Sequence, residues 1–163
     1  MAELTNLESK LGEVLGLAMA AQGATEKVIT LGEVDGDLKQ TLERMNKEAK
    51  EAEERATEVA SSFEGKKTAI LDEAREVKQK ATEMMQDYLD RSADGLDGFE
   101  FLTMAEAGEV GHWEILKTLN ERASNAGVQE LVEWGIPIQQ RHFEDVRQGS
   151  LKLASEEDPN ETV

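Results

Sequence analysis

FEFLTMAEAGEVGHWEILKTLNERASNAGVQELVEWGIPIQQRHFEDVRQGSLKLA, residues 99–154, is the stretch that decides the fold. Two long runs with apolar residues at helical spacing flank Ser124-Asn125-Ala126-Gly127, a tight reversal made of turn-favouring residues. They read as an antiparallel helix pair, from about Phe99 to Ala123 and from about Val128 to Leu153. Pro137 lies inside the second run, where a missing amide donor and a clash one turn back predict a kink. Both histidines of the chain, His112 and His142, fall in this pair.

Upstream, three more helical stretches are legible. Leu4 to Leu31 carries Leu7, Leu11, Val14, Leu15, Ala18, Ala21 and Val28 on one stripe, and its Gly12 and Gly16 permit close helix approach. Asp35-Gly36-Asp37 is a turn with an N-cap, opening a second helix that runs to about Phe63. Its stripe is Leu38, Leu42, Met45, Ala49, Ala52, Ala56 and Val59, with Glu48 and Glu53 at the edges. A third helix from Lys67 to Leu89 carries Ile70, Leu71, Ala74, Val77, Ala81, Met84 and Tyr88. Ser92 to Gly98 reads as a loop. The expected organisation is one helical domain over residues 1–155, with a flexible acidic tail at 156–163. Short connections favour antiparallel neighbours in a bundle, and the third stretch suits a helical crossover between two hairpins.

Composition agrees with an all-α chain. Of 163 residues only two are proline, four phenylalanine and one tyrosine, while Ala, Leu, Glu and Lys abound. The net charge of −17 argues against nucleic acid and against an anionic membrane surface. Absence of cysteine removes disulfides, thiolate catalysis and zinc-thiolate sites, and it fits a cytoplasmic location. No secretory signal pattern and no apolar run near ~20 residues is present. Nor is there a Ser-His-Asp order, a phosphate-binding glycine loop or a dinucleotide fingerprint. Met84, Met85 and Met104 read as core filler, and Trp113 and Trp134 as covers on the edge of the helix pair.

The chemistry rests on the last two helices. At 100° per residue His112 shares a face with Phe101, Ala105, Gly108, Ile115 and Leu119. His142 shares one with Val128, Leu131, Gly135, Gln139, Val146 and Leu153. A reversal between Asn125 and Ala126 sets Glu109 level with His142, and His112 level with Gln139. Glu-x-x-His and Gln-x-x-His pairs therefore converge on one layer of an apolar interface. Such spacing can hold a metal ion between carboxylate oxygen and imidazole nitrogen. It can equally form a metal-free hydrogen-bonded cluster that sets helix register, as in a helical interaction protein. On the first helix Gln22 lies mid-stripe, pointing to the same core.

Residues 99–124 with the following LVEWGIPIQQRHFEDVRQGSLKLA resemble the second hairpin of ferritin-like bundle proteins. The narrower likeness is to small uncharacterised actinobacterial ferritin-like proteins, related in pattern to a bacterial stress-associated family. That resemblance implies an antiparallel four-helix bundle with a crossover segment, and a mid-bundle site for one or two iron or manganese ions. Glu109, His112, His142, Gln139 and Gln22 occupy the ligand positions it implies, with glutamine where the pattern has glutamate at 22 and 139. A single ion, or none, follows from so few carboxylates. A stress or metal-homeostasis role and a homodimer complete the expectation.

Overall fold

The computed structural model describes residues 2–163. Among these the chain forms five α-helices and no strand: α1 (Asn6–Ile29), α2 (Gly36–Ser61), α3 (Lys67–Tyr88), α4 (Gly95–Ala123) and α5 (Ala126–Glu156). None is long and apolar enough to cross a membrane. Polar caps set several starts. Thr5 and Glu8 form a capping box on α1, and Asn125 accepts from the Val128 amide to open α5. Ser124, in the left-handed region at φ 52°, ends α4 and reverses the chain. Pro137 lies within α5, which continues as one helix on either side of it.

One boundary differs from expectation. Residues 95–98 belong to α4 and not to a loop, because Asp94 and Asp97 cap each other's backbone amides. The glycines there serve packing. A Cβ at Gly98 would stand 2.8 Å from Leu31 and Val28 side-chain atoms, so the pattern that suggested a loop reflects close approach to α1.

Helix directions follow from the contacts. Glu48 on α2 meets His142 on α5, and Leu38 lies near Gly149, so α2 and α5 run antiparallel. Val28 against Gly98 and Glu13 against His112 make α1 antiparallel to α4. Gly12 against Ile70 and Glu73, with Gly16 against Ala74 and Val77, makes α3 parallel to α1. Side chains at these two glycines would collide with α3 backbone carbonyls. Thus α1, α2, α5 and α4 contact one another in a ring, and α3 returns along the outside of α1.

The apolar core falls into two clusters. One holds Leu11, Leu15, Ala18, Ala52, Ala56, Ile70, Trp113, Leu116, Leu131 and Val132. The other holds Ala24, Val28, Leu42, Met45, Phe99, Leu102, Val146 and Leu153. Between these levels α2, α4 and α5 present polar side chains. That interruption positions the site.

Candidate functional site

The layer is built from α2, α4 and α5. On α4 the buried stripe runs Phe99, Leu102, Glu106, Glu109, Trp113, Leu116 and Asn120. This differs from the predicted face through Phe101, Ala105, Gly108, His112 and Ile115, and the reason is physical. That face has the cleaner apolar pattern, but part of it borders an open groove, and Ile115 is 47% exposed. The inward face instead accepts two glutamates, and Trp113 is a core residue, not an edge cover. Met84 and Met104 are likewise surface residues, at 60% and 50% exposure, and do not fill the core.

His112 does not join the layer. Its side chain is 38% exposed, and Nδ1 lies 3.1 Å from Glu13 and 3.2 Å from Lys10 on α1. Gln139 accordingly meets Glu106, which the sequence reading passed over, and not His112. Gln22 also points elsewhere, donating to Glu53 and to the Ala18 carbonyl. Asn46 seals the α1–α2 seam beside it by donating to Thr25 and to the Gln22 carbonyl. Of the expected set, Glu109, Gln139 and His142 lie in the buried layer, joined by Glu106 and Glu48.

The ring of His142 organises this layer. Nε2 lies 3.3 Å from Glu48 Oε1, and Nδ1 lies 3.9 Å from Glu106 Oε2. Burial would raise the Glu48 pKa, but the hydrogen bond from Arg141 and the neighbouring His142 outweigh it and hold the group below its ordinary value. An ionised carboxylate only accepts, so Nε2 carries the proton that points at Glu48. Burial lowers the His142 pKa despite Glu48, keeping the ring neutral at neutral pH. Nδ1 is then a lone pair directed toward Glu106.

Glu106 and Glu109 sit in the opposite situation. Burial pushes Glu106 up to about 8, against the hydrogen bond it accepts from Gln139. Burial also raises Glu109 well above the usual carboxylate range, and Glu106 nearby adds to the effect. Among the described residues no group donates a hydrogen bond to the Glu109 carboxylate. A small cavity of about 10 Å³ lies among Glu48, Glu106, Glu109, Gln139, His142 and Trp113. That is close to the space of a single water or ion. The Trp113 indole N–H beside it is buried without an acceptor.

Among the described residues one acidic group, outside this layer, is compact enough to suggest an ion. Glu33, Asp94 and Glu157 bring carboxylate oxygens within 4.8 Å of one another, but all three are exposed. Exposed carboxylates remain hydrated and need no ion to satisfy them.

No protein-family model matches the chain, and neither a curated protein nor a solved structure is similar to it.

Proposed function

We propose that the chain is a ferritin-like bundle that holds one divalent metal ion in its mid-core layer through Glu106, Glu109 and His142. The observation carrying this reading is the His142 ring, oriented by Glu48 with its free nitrogen facing a buried carboxylate 3.9 Å away. The gap is too long for a hydrogen bond. Two bonds of about 2.1 Å to a common ion span it. Carboxylates that orient a ligating imidazole from its far nitrogen are a recurrent support of metal sites.

Charge and donor type agree. Two buried carboxylates balance one divalent ion and no more, so a paired-ion centre is short of ligands. Oxygen and imidazole donors suit Mn²⁺ and Fe²⁺, with Zn²⁺ the competitor. Glu109 does not share a 4.8 Å sphere with the other ligand atoms, so binding would draw its carboxylate inward. Helix order supports the family reading: two hairpins, α1–α2 and α4–α5, joined by a helical return, with antiparallel ring neighbours. A bound manganese or iron ion would supply redox chemistry toward oxygen or peroxide, consistent with a stress or metal-homeostasis role. The protein's own groups hold Nδ1 unprotonated and bury Glu106.

Metal analysis tests this on tag-free protein, stripped with EDTA and incubated with Mn(II), anaerobic Fe(II) or Zn(II). About one ion per chain is expected, from the two-carboxylate charge balance. A chain that retains none of the three overturns the proposal. The second reading is a metal-free layer that sets helix register, favoured by Gln139 donating to Glu106 and by Arg141 and Arg44 holding Glu48.

A further inference from the structure

α3 and α4 both pack on α1 but scarcely touch each other. Between them lies a groove of about 250 Å³. Met84 and Met85 line one wall, Phe101, Met104 and Ala105 the other, and Leu17 of α1 the floor. Met84 and Met104 remain largely uncovered by the described residues. Methionine walls adapt to irregular apolar shapes. The groove differs from a bare apolar depression because Glu106 and Glu109, which belong also to the buried layer, line it together with His112. Glu109 is 6% exposed and has no hydrogen-bond donor among the described residues.

A largely buried carboxylate that borders the groove is costly to ionise, and a cation seated in the groove favours its ionised form. An inorganic ion has no use for hydrocarbon walls. An ammonium gains from the ionised form of Glu109, a gain that neither a neutral nor an anionic headgroup has. We propose that this groove binds a compact apolar organic molecule bearing one ammonium group, with the ammonium seated on Glu109 and its apolar body between the methionines of α3 and α4. A dry cavity of roughly 150 Å³ accommodates benzene, so a groove of about 250 Å³ has room for an apolar body of about seven or eight carbons. An ammonium has three donors, enough for Glu109 and the edge of Glu106. The inference shares two residues with the metal reading but needs no ion, and ion and amine should exclude one another.

Calorimetry on the full-length, EDTA-treated chain tests it with n-heptylamine, 1-heptanol and heptanoate, which share one tail. Heptylamine should bind at least about tenfold more tightly than the other two, the worth of one charge-assisted contact. Glu109→Gln keeps the shape and removes the charge, so the amine preference should vanish while weak tail binding remains. The double variant Ala81→Leu/Gly108→Leu fills both walls, and a Cβ at Gly108 meets no heavy atom within 4 Å. It should bind none of the three probes and still take up Mn(II) as the wild type does. Equal affinity for the three probes, a preference that survives Glu109→Gln, or undiminished binding in the filled variant would each overturn the proposal. A chain that prefers heptylamine but retains no metal refutes the metal reading alone. The converse refutes this one alone.

Discussion

The His142 imidazole and the Glu48 carboxylate meet across α5 and α2, with Nε2 3.3 Å from Oε1. Arg141 and Arg44 pair with the same carboxylate, so Glu48 is held ionised and in place. Its role toward an ion is to position the ring, not to ligate. Glu48→Gln should therefore weaken Mn(II) binding about 10–100-fold while the helical circular dichroism spectrum stays unchanged. Titration followed by electron paramagnetic resonance reads this directly. Wild-type affinity in that variant would mean that Glu48 does not orient the ring.

The two histidines should separate cleanly. His142 is 4% exposed within the layer, whereas His112 sits 38% exposed against Glu13. His142→Ala should abolish metal retention, and His112→Ala should leave ions per chain unaltered. The effect of His112→Ala on stability should stay within about 0.5 kcal/mol, as for most surface changes. Equal loss of metal in both variants would place the ion at the α1–α4 seam instead.

Five helices were legible because the apolar stripes of α1 and α2 are long and nearly uninterrupted. Leu11, Val14, Leu15 and Ala18 are buried as their spacing predicts, and so are Leu42, Met45, Ala49 and Ala56. The reading faltered where charge and apolarity share a face. On α4 a pattern that treats glutamate as solvent-facing selects Phe101, Ala105, Gly108 and His112. The real core face holds Glu106 and Glu109. Only an appeal to Trp113 and Leu116, which share that face, could have found them. The reversal at Asn125 did place Glu109 and His142 in one layer, because helix rise fixes depth whatever the rotation. Rotation about the axis is set by packing, here by Trp113 lying over Gly135. Spacing alone does not encode it.

Stability of the metal-free chain should fall as pH rises from 6.5 to 8. Glu106 is pushed up to about 8 from 4.5, so the folded state holds a proton that the unfolded chain has already lost. Its contribution is complete below about 4.5 and disappears as pH climbs through the folded value. Glu109, raised for the same reason, acts in the same direction. His142 is lowered from 6.5, so it removes stability only as pH falls beneath that value and does not interfere in this window. Glu106 alone should be worth about 2 kcal/mol between pH 6.5 and 8. Urea melts across the window should show the decline, and Glu106→Gln should remove most of it. A bound ion competes with protons, so Mn(II) should reverse the slope. A flat profile in the metal-free wild type would show that water reaches the pair.

Two glycines on the α4–α5 hairpin should respond oppositely to alanine. Helix propensity favours Ala over Gly by about 1 kcal/mol wherever space allows. At Gly108 a Cβ meets nothing within 4 Å, so Gly108→Ala should stabilise by up to that amount. At Gly135 the same atom would run into the six-membered ring of Trp113, which is 2% exposed and wedged among core residues. The indole cannot yield without opening the cluster around Leu116 and Val132, and overpacking of this kind costs about 1–3 kcal/mol. Gly135→Ala should thus destabilise on balance and shift tryptophan emission to the red as Trp113 moves toward water. Since Trp113 also borders the cavity beside Glu106 and Gln139, the variant should weaken Mn(II) retention, whereas Gly108→Ala should not. Matching stabilisation in both variants would show the Trp113 ring free to turn aside, and would remove the packing constraint that fixes the rotation of α4.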